Sequence, residues 1–430
     1  MGTFIAIFSI IFMLAPGAWA ASVDRLHGGH VYAADFTAEP CLPDANDKTV
    51  ITWSYWGNPW EVKVNERIIE VFESENPDIR IRSLHKPWSE YFEHVTPWLE
   101  SDNPPDVLFL AHIRDYIKQG YLASFEPFLE LEKAEGDLNL EDFYPQLLSL
   151  FRYQGSLYGF PRDNDTKVIF YNKRLFDRAG LAYPQENWNW QDFYRLADTL
   201  TREHEYQYGV IHARDWLPLL FWQNALYLPD DARYSRKDLI NSVQGIEALE
   251  WFIRLIRRTS PLQQLEVDSY RAVDYFTREK VAMMFGNHAL VPELIKHQGI
   301  SWGVAGLPKG KRRVNKIGGA GYVISEKSRH KAAAWRFVKW LVSQKGQAIF
   351  TESGAMVPSR QSVSRSRVFH RLQNEDHARV FIRETLAGLT EADHDDDKRI
   401  NRIISKYIND VLVHQLPFDD AIEQARYEVD

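Results

Sequence analysis

The sequence predicts an α/β chain folded into two lobes, and three observations predict it. Runs rich in β-branched and aromatic residues alternate with amphipathic helical stretches from Thr49 onward, the order that builds parallel α/β units. At 430 residues the chain exceeds the size at which a single core keeps growing, so two domains are expected. The polar stretch Arg162 to Lys167, between the turn Gly159 to Pro161 and the buried-strand composition of Val168 to Tyr171, suits a passage from one lobe to the other. There Asp163, Asn164, Asp165 and Thr166 can aim carboxylate, amide and hydroxyl groups into a cleft; an ordinary solvated turn is the alternative reading.

Met1 to Ala20 carries no charged side chain, has an apolar run from Phe4 to Leu14 and ends in the small-x-small pattern Ala18 to Ala20, so a cleaved secretory signal peptide is expected. The lack of Lys and Arg at its start leaves a short membrane anchor as the alternative. Residues 21–45 show no periodicity and read as a flexible arm, in which His27 and His30 lack further metal ligands. Cys41 is the only cysteine, so no intramolecular disulfide can form, and it stands too far downstream to carry a lipid anchor. A soluble exported chain is the expectation. Its net charge of −8 argues against a polyanionic partner such as nucleic acid.

In chain order, Thr49 to Trp56 reads as a first strand and Val62, Val64, Ile68, Ile69 and Phe72 as the apolar face of a helix stopped by Asn76 to Asp78. Ile79 to Ile81 supplies a short second strand. A helix from Trp88 to about Leu99 leads into the strand Val107 to Leu110, the loop Ala111 to Ile113 and a helix from Arg114. Residues 143–151 look helical. Trp56 and His112 thus stand at the carboxyl ends of strands, where open α/β sheets expose ligand-contacting loops.

The ordered series Asn103 to Val107, Gly155 to Pro161, Phe170 to Phe176 with Ala179 and Gly180, and Trp188 to Phe193 resembles the extracellular solute-binding proteins of bacterial ABC importers, family 1, which includes maltose- and oligosaccharide-binding proteins. Phe276 to Met284, Gly303 to Gly310, Gly318 and Gly319, Ala332 to Phe337, Phe350, and Gly354 to Pro358 continue it in the same order. The resemblance implies a type II periplasmic-binding-protein fold with the ligand between two lobes. On that pattern residues 46–162 plus 318–358 form the first lobe and 163–317 plus 359–430 the second, with crossings near Asp163, Gly318 to Gly319 and Val357 to Pro358. It implies a periplasmic location, a carbohydrate ligand, permease subunits as partners, a monomer, and no cofactor or catalytic residue.

In the second lobe, Trp216, Trp222 and Asn224 lie in an aromatic helix, and Val243 to Arg258 has a core-facing stripe at Ile246, Leu249, Phe252, Ile253 and Ile256. A helix at 270–280 precedes the strand Val281 to Phe285 and the loop Gly286 to His288. Glu279 stands where the family usually has Gly, and His288 near where many sugar-binding relatives have Trp. Residues 359–430 read as helical; the acidic run Asp393 to Asp397 lacks the Gly turn and distal Glu of a calcium loop.

Sugars present hydroxyl groups and weakly polar C–H faces, so their sites need aromatic platforms beside carboxylates and amides. The chain has 14 Trp, 20 Tyr and 24 Phe to draw on. Trp56, Trp88, Trp216, Trp222 and Tyr322 are the stacking candidates, with core packing as the alternative for each Trp. His112, Asp163, Asn164, Asn224, Asn287 and His288 are the hydrogen-bonding candidates, and Gly319 could let the backbone approach a ligand. A secreted glycosidase with paired carboxylates is a second reading, although no Gly-x-Ser-x-Gly elbow or His-Glu-x-x-His helix is present. A binder of an amino acid or polyamine is a third. With Arg162, Lys167 and Arg214 as anion candidates, acidic sugars stay open.

Overall fold

The computed structural model describes residues 48–135, 138–211, 216–224, 237–261, 267, 269–354, 356–371, 374–390 and 397–429. The expected signal peptide at 1–20, the expected arm with Cys41, Arg214 and the acidic residues 393–396 lie outside the described residues.

The first lobe begins β1 (Thr49–Trp56), α1 (Pro59–Glu75), β2 (Ile79–Lys86), α2 (Trp88–Glu100) and β3 (Val107–Leu110), followed after a helical stretch by β4 (Gly159–Pro161). The second lobe contributes β5 (Val168–Asn172), β6 (Tyr208–Ile211), α3 (Val243–Thr259), β7 (Val281–Gly286) and β8 (Trp302–Ala305). The chain then returns through β9 (Gly321–Ile324), α4 (Lys331–Leu341) and α5 (Gln344–Thr351) to the first lobe, and α6 (Glu375–Leu386) packs on the second. The first sheet has the order β2-β1-β3-β9-β4 and the second β8-β5-β7-β6.

Local chemistry explains the first unit. Asn58 caps α1, accepting from the backbone of Trp60 and Glu61, while Glu61 accepts from the Asn58 N–H at 3.0 Å, so two orphan donors are satisfied reciprocally. β2 is longer than the expected Ile79 to Ile81, because all eight of its residues pair in parallel with β1. The Asn103 to Asp106 turn is fastened by the Asp106 carboxylate, which accepts from the Thr52 N–H at 2.8 Å and from the Ser328 hydroxyl.

The second sheet is covered on both faces. Ile169 and Tyr171 enter one core with Phe193, Trp216 and Phe252, while Val168 and Phe170 enter another with Phe276, Met284 and Phe381. This is why Val168 to Tyr171 is continuously apolar rather than alternating. Glu279 has φ +60°, the left-handed region that favours glycine, and its carboxylate pairs with Arg174 and Arg178. An ion-paired Glu thus occupies a turn that Gly would enter without strain.

Two expectations about elements change. Residues 143–151 form only a short helix, Pro145–Ser149, ahead of a two-stranded hairpin at 152–157. Gly159 to Pro161 is a strand rather than a turn, because β9, arriving from far along the chain, pairs with it and with β3.

Trp216 and Trp222 are 1% and 2% exposed and belong to the second lobe's core. Phe285 at 4.4 Å, Phe193 at 5.1 Å and Trp251 at 5.3 Å surround the Trp216 ring, so no face remains for a ligand. Trp222→Ala is therefore expected to cost about 3–5 kcal/mol of stability, read by denaturant unfolding.

His377, at the start of α6, is buried against Trp302 with ring centroids 4.5 Å apart. Burial lowers its pKa from 6.5 to about 4, assisted by Lys173 and opposed by Asp376. The unfolded chain then binds the proton more readily, so stability held above pH 6.5 is withdrawn as pH falls towards 4, by up to about 3 kcal/mol. Melting curves across that window should show this loss, and His377→Phe should flatten it.

Candidate functional site

The pairing registers decide which loops come together. β1 and β2 run parallel, ending together at Trp56 and Lys86, and β3 runs parallel to them, ending at Leu110. β9 runs antiparallel with Gly321 opposite Leu110 and Pro161. One edge of the first sheet therefore carries Trp56, Trp88, His112, Gly319 and Arg162. In the second sheet Gly286 pairs with Val168, which brings Lys167 and Asn287 to one edge. The segment Arg162 to Lys167 joins the two edges.

Trp56 is half-buried and meets Phe109 at 4.2 Å, Phe92 at 5.1 Å, and Trp88 and Tyr91 at 5.3 Å. Trp88, the first residue of α2, is 60% exposed. The pair forms an aromatic ledge with one ring seated and one open to solvent. His112 is exposed in the loop after β3, with φ +55°.

At the base of the ledge, the buried Arg162 guanidinium lies 3.8 Å from the Phe109 ring centroid and 4.1 Å from that of Phe350. It donates to Asp163 Oδ2 from Nε at 2.8 Å and Nη2 at 2.6 Å, and Glu61 Oε1 lies 4.0 Å from Nη2. Desolvation pulls the Arg162 pKa down, but the charges of Asp163 and Glu61 and the Tyr322 hydroxyl outweigh it and raise it. Burial raises the Glu61 pKa despite the nearby guanidinium. A charge this deep is tolerable because it is paired.

Asp163 Oδ1 accepts from the Ala320 N–H at 3.1 Å. Asp165 receives Lys167 Nζ at 3.1 Å and the Asn287 side-chain amide. Arg162 N–H donates to Ala320 at 2.9 Å, Asp165 N–H to Gly318 at 2.8 Å, and Val357–Pro358 pairs with Asp163–Asn164. Three strands of chain thus run side by side between the sheets.

The other candidates fall elsewhere. Asn164 is buried, donating to Thr385 and accepting from the Thr166 hydroxyl at 2.7 Å, so its amide is committed to the crossing. Asn224 is buried and donates to the Gln244 carbonyl at 2.6 Å. His288 packs on Phe369 and Phe381 in the second lobe. Tyr322 is buried between Trp53 and Phe109, with its hydroxyl bonded to Arg162 and its pKa raised by burial. A Cβ on Gly319 would lie 2.4 Å from the Asp163 carbonyl oxygen, so this glycine admits a neighbouring chain segment, not a ligand. Glu61 is absent from the sequence reading; its signal is the Asn58-x-x-Glu61 capping box directly after a strand end. Asp165 was visible within the polar stretch, but nothing in that stretch distinguished it from its neighbours.

Among the described residues no group of three or more His, Cys, Asp or Glu side chains is arranged to hold a metal, and no helix is long and apolar enough to cross a membrane.

Residues 53–348 match the family described as bacterial extracellular solute-binding protein. An erythritol/L-threitol-binding protein of Mycolicibacterium smegmatis is 22% identical over 73% of this chain and 71% of its own length. A melibiose/raffinose/stachyose-binding protein of Bacillus subtilis is 21% identical over 65% of this chain and 61% of its own. Among solved structures, an ABC substrate-binding protein of Listeria monocytogenes in complex with cycloalternan superposes with TM-score 0.76 at 20% identity, over 89% of this chain and 98% of that one. A solute-binding protein of Agrobacterium radiobacter in complex with ribitol gives TM-score 0.72 at 22% identity, over 89% and 98%. Both likenesses speak for the two-lobed fold. With most of its length matched and two α/β lobes joined at a polar crossing, the chain belongs to the bacterial extracellular solute-binding proteins.

Proposed function

We propose that this protein is the periplasmic substrate-binding component of an ABC importer, closing its lobes over an uncharged sugar or polyol and delivering it to membrane permease subunits. The observation that carries the reading is the ledge of Trp56 and the 60% exposed Trp88 above a crossing that presents Asp163, Asp165 and Asn287. Sugar C–H faces stack on such rings, and carboxylates and amides bind adjacent hydroxyls. The erythritol/L-threitol- and melibiose/raffinose/stachyose-binding relatives and the ribitol and cycloalternan complexes support a polyhydroxylated ligand. The contact set is Trp56, Trp88, His112, Asp163 and Asn287, with Asp165 added.

Charge pairing favours an uncharged ligand over a uronide. Arg162 is engaged by Asp163 and Glu61, and Lys167 by Asp165. The lobes divide as 46–162 plus 318–358 and 163–317 plus 359–430, and closure is a hinge motion about the three side-by-side crossings. The chain works as a monomer, exported by a cleaved signal peptide.

A thermal-shift panel of erythritol, ribitol, melibiose, maltose, glucuronate and galacturonate tests this. At least one neutral compound should stabilise the protein, by about 2.7 kcal/mol at a hundredfold excess over Kd. A response to uronates alone would overturn the charge argument, and release of reducing ends would overturn binding without cleavage. Trp88→Ala should weaken the responding ligand about tenfold while leaving the ligand-free melt nearly unchanged. A collapse of the ligand-free melt would instead make Trp88 a packing residue.

A further inference from the structure

A cavity of about 610 Å³ opens beside α4 and α5, lined chiefly by first-lobe residues together with Arg360 and Ser362 from just after the Val357–Pro358 crossing, and none of its lining residues belongs to the two edges that meet at the crossing. Its volume lies within the roughly 300–1,000 Å³ typical of small-molecule sites. Arg336, Lys339 and Trp340 of α4 form one wall, Ser343 and Gln344 at the start of α5 another, and Leu138, Asn139, Asp142, Arg360 and Ser362 the remainder, with Asn76 beyond the end of α1.

The lining is rich in charge, yet every cation is matched. Arg336 donates to both carboxylate oxygens of Asp78, at 2.6 and 3.1 Å, and to Asn76 at 2.8 Å. Lys339 pairs with Glu132 at 2.8 Å and Arg360 with Asp142 at 3.1 Å. A ligand here meets no unbalanced charge. It does meet unspent hydrogen-bonding capacity. Arg360 is 5% exposed, stacks 4.3 Å from the Phe143 ring centroid, and uses Nε and Nη1 on Val342, Asn139 and Asp142, leaving Nη2 without a partner among the described residues. Gln344 is exposed and holds the Ser362 hydroxyl at 3.1 Å. Trp340, anchored by its indole N–H to Glu75 at 2.7 Å, and Leu138 supply an apolar surface among these polar groups.

We infer that this cavity is a second binding site, taking an uncharged polyhydroxylated molecule of about disaccharide size, separate from the cleft between the lobes. A phosphorylated or carboxylated ligand would have to displace carboxylates already seated on the three cations, and at Arg360 and Lys339 those pairs are largely buried. A neutral one can accept from Arg360 Nη2, exchange bonds with the Gln344 and Asn139 side chains, and lay a C–H face on the Trp340 wall. The inference does not rest on the cleft reading.

The test is isothermal titration of sucrose, trehalose and maltose into the full chain, into Trp88→Ala, and into Gln344→Trp and Leu138→Trp, two substitutions that fill the outer cavity from different walls. At least one sugar should bind Trp88→Ala as it binds the parent. That binding should weaken about tenfold or more in both cavity-filling variants, with their melting temperatures close to the parent's. The proposal is overturned if none of the three sugars binds Trp88→Ala, or if their binding is unchanged in Gln344→Trp and Leu138→Trp. A binding event that Trp88→Ala weakens about tenfold belongs to the cleft; the proposal stands only on an event that Trp88→Ala spares and both cavity-filling variants weaken.

Discussion

Arg162 leaves the first sheet at Pro161 and turns its guanidinium between Phe109 of β3 and Phe350 of α5, with Asp163 on its edge and Glu61 of α1 beyond. One charged side chain thereby ties together four parts of the chain that are far apart in sequence. Such a buried cation is stable only while its partners remain, since an uncompensated charge at that depth costs several kcal/mol. The arrangement holds the crossing in register with the sheet edge, and the neighbouring Asp163 to Ala320 bond and the pairing of Asp163–Asn164 with Val357–Pro358 extend that control to the other two crossings.

The aromatic richness of the chain divides into two uses. Trp53, Trp188, Trp216, Trp222 and Trp335 are buried in the cores, where two lobes, one of them with a sheet covered on both faces, need large apolar volume. Trp56 and Trp88 lie at a sheet edge, one ring holding the other in place. A seated ring backing an exposed one is preorganised, so less ordering entropy is lost when a ligand stacks on it. Polar side chains divide in the same way: Asn164 and Asn224 hold backbone and hinge together, whereas Asp165 and Asn287 stand at the junction of the lobes.

Glu279 shows how a departure from a family pattern can be absorbed. The turn before β7 needs a left-handed residue, and Glu279 accepts that conformation while gaining two arginine partners on the lobe surface. Its cost and its compensation lie in the same turn. His377 is a different case, a titratable ring buried beside Trp302 whose neutrality the fold requires, which makes this face of the second lobe the one that acid weakens first.

The sequence by itself determined the α/β rhythm, the first strand and helix and the buried strand at Val168 to Tyr171, because each is written in local periodicity or turn chemistry. It also placed Trp56 and Trp88 at a strand end and a helix start, positions that open sheets expose. What it could not settle was which aromatics would be covered: Trp88 and Trp222 have the same side chain in similar helical settings, and only burial in the second lobe's core separates Trp222, at 2% exposure, from the 60% exposed Trp88. Tertiary structure alone also inserted β9 between β3 and β4, made Gly319 a point of chain-to-chain contact, and set Glu61 beside Arg162. Those outcomes depend on contacts between residues more than a hundred positions apart, and no local pattern encodes the partner at such a distance.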